Sequence, residues 1–220
     1  AVGDGDLLIA IVTMNGASTL TPPLGWEERK EDPFDSNAAE AWIFGLRDTS
    51  AAGAGTVTFT SAGSFTGTFN VFRVPAGEWD NSDTVSLAEV IELGSDSEGT
   101  GSTAPNPGDI NPFNNNGEYL LIACLHLSST PTVNSAPTGF TDLTVTQSAD
   151  VTTATAVKRG PGENADAWSL SAAAGYNTNV IAIRTGLGAG YVKDGSLRGY
   201  QSQDPDGNLR WWCRINGTSN

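Results

Sequence analysis

The feature that most constrains this chain is a phrase it writes twice. Residues 5–26 read GDLLIAIVTMNGASTLTPPLGW, and residues 117–140 read GEYLLIACLHLSSTPTVNSAPTGF. Ala10 matches Ala123, Pro23 matches Pro137, Gly25 matches Gly139, and Phe140 answers Trp26. Further on, NVFRV (70–74) resembles VIAIRT (180–185), pairing Arg73 with Arg184. AWIF and TVTFT correspond loosely with TATAV and AWSLS. The matched residues stay about 113 apart over ~70 positions, which points to duplication. Two copies make a paired domain rather than a solenoid.

Each copy reads as four strands separated by Gly and Asn clusters. The first is the apolar run at 6–14 or 118–127, followed by a Ser/Thr/Pro-rich loop. The others are expected near 40–47, 55–60 and 67–74, and near 152–159, 165–171 and 178–185. Charged residues make up only 16 % of the chain, so Thr, Ser, Asn and Gly supply the polar surface, which suits strands and turns. The expected fold is all-β: an antiparallel two-sheet sandwich of jelly-roll type, built from pseudo-repeated four-stranded halves with a C-terminal hairpin or arm. One local signal opposes this, since Asn37-x-x-Glu40 is a capping-box pattern ahead of alanines. Its counterpart VTTATAV is β-branched, so strand is expected at both places. SLAEVIEL (86–93) is ambiguous between a short helix and an edge strand.

The halves are expected at about 1–93 and 117–185, with residues 94–116 as a long surface linker and 186–220 as an arm without counterpart. Pro-x-Gly-aromatic turns the chain and drops Trp26 or Phe140 onto the sandwich as a plug; Trp42 and Trp168 are expected in the core. Residues 1–185 hold 7 basic and 22 acidic side chains, and residues 186–220 hold 4 and 3. A net charge of −14 repels nucleic acid, and no apolar run is long enough to span a membrane. No basic-then-apolar leader stands at the start of the sequence.

Few residues carry chemistry. His126 is the sole histidine and reads as a satisfied core side chain. Its neighbour Cys124 lies ~7 Å away along a strand, too far for a nucleophilic pair. Cys124 reads as a buried thiol, a bridge to Cys213 being the alternative. No nucleophile elbow, phosphate loop or dinucleotide fingerprint is present. Asp204, Asp206 and Asn208 place oxygens at alternate positions of a turn, as calcium prefers, although ordinary turn chemistry is the favoured explanation. In the arm, Arg210, Trp211, Trp212 and Arg214 mix the two side chains that dominate binding hot spots. Trp79, in PAGEWDNSD, is expected to be exposed and able to stack on a sugar.

Gly-Asp-Leu-Leu-Ile-Ala, Thr-Pro-Pro-x-Gly-Trp, a strand ending VFRV and the later GEYLLIA…APTGF together resemble jelly-roll proteins of tailed-phage virions and related bacterial surface modules. The resemblance covers roughly residues 3–185. This chain departs from that pattern by lacking a lead-in strand before the first copy and by adding the arm. The resemblance implies a non-catalytic fibre, spike or capsid-decoration protein on the virion surface, assembled as a homo-oligomer and in contact with other virion proteins. The alternative is a carbohydrate-binding module, and the two overlap if the particle recognises a host surface glycan. No cofactor beyond a calcium ion is expected.

Overall fold

A computed structural model describes residues 5–16, 19–47, 58–61, 65–81, 86–112, 119–162 and 166–185, and the backbone of residues 192–194, 197–203, 209–215 and 218–219. The chain is all-β, with several antiparallel sheets. Its first part forms β1 (Leu7–Asn15), β2 (Leu20–Thr21), β3 (Glu27–Phe34), β4 (Ala39–Arg47), β5 (Thr60–Ser61) and β6 (Gly67–Val74). A four-residue helix α1 (Leu87–Val90), β7 (Ile91–Leu93) and β8 (Ser97–Ser102) follow. The second part forms β9 (Tyr119–Leu127), β10 (Val133–Ser135), β11 (Thr141–Gln147), β12 (Thr152–Gly160), β13 (Ser169–Leu170) and β14 (Ala174–Arg184). At the C-terminal end lie β15 (Val192–Asp194), β16 (Leu197–Gln203), β17 (Leu209–Ile215) and β18 (Thr218–Ser219).

The two parts share one wiring. The first main sheet runs β3-β4-β1-β6, and the second runs β11-β12-β9-β14-β7, with β8 also on β14. A two-stranded flap accompanies each part, β2 with β5 and β10 with β13. The chain completes one main sheet before it starts the other, whereas a jelly roll passes its strands between both. β1 opposes β4 from Leu7–Arg47 to Asn15–Ala39, and β9 opposes β12 from Tyr119–Gly160 to Leu127–Thr152.

The near-continuous apolar runs follow from burial on both faces. Successive side chains of a strand point to opposite sides. In β1, Leu8, Ala10, Val12 and Met14 pack with Leu20, Trp26, Trp42 and Phe44 on the outer side of the first sheet. Leu7, Ile9 and Ile11 pack on the inner side with Ile122 and Cys124 of β9 and Ile181 and Ile183 of β14. In β9, Leu121, Ala123, Leu125 and Leu127 turn outward, to a core capped by Phe140, Trp168 and Leu170. Three apolar layers therefore alternate with two sheets. The strands that meet across the inner layer include β1 with β9 and β12, β4 with β9, β6 with β11 and β12, and β3 with β14 and β8.

Trp26 and Phe140 are buried, each closing a turn in which its amide donates to the proline carbonyl three residues back, at 3.1 Å in both cases. Gly25 and Gly139 sit at φ 90° and 83°, the left-handed third position that a type II turn reserves for glycine. Trp42 and Trp168 are likewise core residues.

Several expectations need correction. β3 and β11 are additions to the expected strands, because EERKEDPF and TDLTVTQ carry too little apolar character to announce them. As expected, by contrast, the capping-box pattern starts no helix: Asn37 lies in the β3–β4 turn at φ 67° and β4 is a strand. Residues 86–93 contain both alternatives, helix α1 and then strand β7, with the Glu89 carboxylate accepting from the Ser86 amide at 2.8 Å and hydroxyl at 2.7 Å. Opposite Leu8 and Leu121 stand Arg73 and Ala182, so the strand register does not align Arg73 with Arg184.

Nor is 94–116 simply a surface linker. β8 extends the second sheet, Ile110 is buried in its outer core, and the carbonyls of Thr103 and Pro105 accept from Leu170 and Trp168. A Cβ at Gly108 would collide with the Ser95 carbonyl oxygen. Gly108→Ala is therefore expected to force this backbone apart and lower stability by about 1–3 kcal/mol, checked by chemical denaturation.

Candidate functional site

The inner layer is apolar at one end and polar at the other. The polar end is built mainly by positions facing inward from β1, β3, β6, β12 and β14. Thr13 Oγ1 meets His126 Nδ1 at 2.9 Å and Thr153 Oγ1 at 2.7 Å. Thr68 Oγ1 lies 2.8 Å from the same Thr153 hydroxyl. Asn70 donates to Thr155 Oγ1 at 3.0 Å and accepts from Thr146 Oγ1 at 2.6 Å.

Beside these, Lys30 reaches out of β3 into the second sheet with its side chain buried. Its ammonium donates to Asp96 and to Asn177 Oδ1 (2.8 Å), and Asp32 stands at 3.5 Å. Asn177 donates to Asp32 at 2.6 Å, and Asn179 donates to Asp96 at 3.1 Å. One ammonium, two carboxylates and two amides thus join the sheets through groups that partner one another. The sequence reading misses Lys30 because its charged segment does not read as a strand. The available signal is the inward alternation of Lys30, Asp32 and Phe34 along β3.

Burial shifts two titratable groups here. His126 is fully buried, and burial first, then the Lys30 charge, lowers its pKa to about 3. The ring is neutral at physiological pH and bonded to Thr13 through Nδ1, but its buried Nε2 has no hydrogen-bond partner, so the expected satisfied core histidine is only half met. Burial pushes the Cys124 thiol far above its ordinary range, and the residue is a free cysteine, so no bridge joins it to Cys213. Among the described residues, no group of three or more His, Cys, Asp or Glu is placed to hold a metal ion, and no helix is long and apolar enough to cross a membrane.

Trp79 must be corrected. It is 1 % exposed, donates from Nε1 to the Gly5 carbonyl at 3.0 Å, and lies under the Arg47 guanidinium, 5.1 Å from the ring centroid. A ring closed in this way offers no face to a sugar. Trp79→Phe keeps most of the packing and removes the hydrogen bond. It is expected to lower stability by about 1–2 kcal/mol in denaturant titration. Glycan-array binding by the folded variant is expected to match that of the parent protein.

Exposed apolar surface lies elsewhere. Five of the six large hydrophobics exposed among the described residues, Phe65, Phe69, Val71, Leu143 and Val145, fall on or beside β6 and β11. Phe69 is 64 % and Val71 53 % exposed, while Asn70 between them is buried. Along GTFNVFRV the side chains alternate, and the polar residue Asn70 is the one that faces inward.

Arg210, Trp211, Trp212 and Arg214 lie on β17, which pairs with β16 so that Trp212 stands opposite Tyr200 and Arg214 opposite Arg198. Asp204, Asp206 and Asn208 lie outside the described residues. No protein-family model matches this chain, and neither a curated protein nor a solved structure is significantly similar to it.

Proposed function

We propose that this chain is a non-catalytic structural protein displayed on a virion surface, made of a duplicated strand unit joined face to face and attached to its neighbours through the arm at 186–220. The duplication is supported by the shared order of β1–β6 and β9–β14 and by inner-layer contacts that exchange under a rough two-fold axis. The virion assignment rests on the resemblance of GDLLIA…TPPLGW and GEYLLIA…APTGF to tailed-phage jelly-roll proteins. The observation that carries the non-catalytic reading is the use made of Lys30, Cys124 and His126. All three are buried in the joint between sheets, where their task is cohesion.

An acidic, doubly covered body of this kind would be rugged and soluble, as an exposed particle component must be. Arg210, Trp211, Trp212 and Arg214 are the proposed attachment residues. The decisive observation is the identity of the genes flanking this one. Capsid or tail genes support the reading. Polysaccharide-processing genes overturn it in favour of a carbohydrate module, for which loss of glycan-array signal in Trp211→Ala/Trp212→Ala is the direct check.

A further inference from the structure

The two parts of the sandwich differ at one edge. In the second part, β14 is paired on its outer side by β7, with Ile181 opposite Leu93 and Ile183 opposite Ile91. β8 continues that pairing, with Tyr176 opposite Gly99 and Thr178 opposite Ser97. Beyond β8 the chain holds the flap strand β13 through Thr103 and buries Ile110. The edge and the outer core behind it are closed.

In the first part the corresponding strand is β6, and among the described residues it pairs with β1 alone. Phe69 stands opposite Val12, and Thr178 opposite Leu125; Val71 stands opposite Ala10, and Val180 opposite Ala123. Thr178 and Val180 are fully buried, whereas Phe69 and Val71 are mostly exposed. One wiring thus gives a covered edge in one part and an open, apolar edge in the other. An unpaired strand of this kind is a template for another strand.

The occupant follows from the chain order. The segment that closes β14 is the one that comes directly after β6. The segment that comes directly after β14 is the C-terminal arm, and the same two-fold relation sends it to β6. The arm forms its own sheet, β15-β16-β17-β18, which among the described residues is hydrogen-bonded to no strand of the sandwich in its own chain. β15 covers only the start of β16, and β18 only the end of β17, so Gly199–Gln203 and Leu209–Cys213 each keep an unpaired margin among the described residues. Charge favours the same match, since the arm has 4 basic against 3 acidic residues and residues 1–185 have 7 against 22.

We propose that the arm of one copy adds a strand to the open β6 edge of a second copy, covering Phe65, Phe69 and Val71 and building a closed ring of identical subunits. This rests on the reading of residues 186–220 as an attachment arm and names the surface that receives it. Head-to-tail strand addition closes into a ring when the rotation between copies allows, so the assembly has cyclic symmetry.

The test uses the full chain in size-exclusion chromatography with light scattering at tens of micromolar. The parent protein is expected to be oligomeric. Phe69→Lys/Val71→Lys, at exposed positions, is expected to run as a monomer that keeps the parent's β circular-dichroism spectrum and cooperative melting, at a somewhat lower temperature because the stabilising contacts between copies are lost, and Arg210→Glu/Arg214→Glu likewise. In Val71→Cys, oxidation is expected to link the new thiol to Cys213 of another copy as reducible dimers and higher species. A monomeric parent protein overturns the proposal, as does an oligomer that survives Phe69→Lys/Val71→Lys. So does a disulfide in Val71→Cys that joins the introduced thiol to Cys213 only within one chain. If the arm variant dissociates the assembly and the β6 variant does not, the arm docks elsewhere and the attachment reading stands; if neither does, both fall.

Discussion

Lys30→Ala is expected to destabilise this protein by about 1–3 kcal/mol, read as a fall in the urea midpoint at constant slope; the side chains of Asp96 and Asp32 are 40 % and 26 % exposed, so solvent screens part of the loss. The reason lies in what the substitution leaves behind. A buried ion pair contributes little compared with a well-packed apolar replacement, but removing one partner strands the other in a low-dielectric layer. Here the ammonium is shared by Asp96, Asp32 and Asn177, and the amides of Asn177 and Asn179 are already committed to the same two carboxylates. Lys30→Ala therefore leaves the Asn177 carbonyl and two partly exposed carboxylates without their cation. Lys30→Met/Asp96→Leu is expected to recover part of the loss by removing one stranded charge along with the lysine. The exposed pair Arg159–Glu78, at 3.0 Å, is the control, and Arg159→Ala is expected to change stability by less than about 1 kcal/mol. Equal effects at the two sites would show that Lys30 does not join the sheets.

Acidification from pH 6.5 towards pH 3 is expected to lower stability by up to ~1.4 kcal/mol per pH unit through His126 alone. The folded-state pKa is depressed to about 3 from an ordinary value of 6.5. Between those values the unfolded chain takes up a proton that the folded chain refuses. Stability is therefore complete above about 6.5 and drains away as the pH falls. Burial is the main cause, and Lys30 adds a positive charge that a protonated ring would have to face. Asp96 and Asp32 screen part of that charge, and Cys124 is neutral beside it. His126→Gln should remove this component, so the parent and variant stability curves converge as the pH falls from 6.5 to 5, above the main range of carboxylate titration. Parallel curves across that interval would mean the imidazole is not held neutral by the fold. The two predictions are linked: Lys30→Ala removes one of the two causes, so the His126 pKa should rise and the acid-sensitive window should shorten.

Much of the architecture was legible in the chain. LLIAIVTM and YLLIACLHL announced strands, and burial on both faces explains why they are apolar at nearly every position. Pro-x-Gly-aromatic announced its turns, because glycine reaches the left-handed geometry of Gly25 and Gly139 without strain. The duplication overruled helical propensity at 39–47, and β4 is a strand. The candidate site was much less legible. Lys30 sits in a segment so charged that only its alternation with Asp32 and Phe34 hints at an inward face, and its hydrogen-bond partners Asp96 and Asn177 are 66 and 147 residues away. Trp79 looked exposed among Gly, Glu, Asp and Asn, and only its packing beneath Arg47 shows otherwise.

The sequence by itself determined the periodic facts: where the long apolar strands lie, where the Pro-x-Gly turns fall, and that one phrase is written twice. Those facts depend on neighbours along the chain, and such neighbours can be read in one dimension. Only the tertiary structure decided which face of each strand meets the other sheet, because that choice is a shift of one residue in a pattern apolar on both sides. With that choice came the polar joint around Lys30 and His126. With the path of residues 91–110 came the contrast between a closed edge at β14 and an open one at β6.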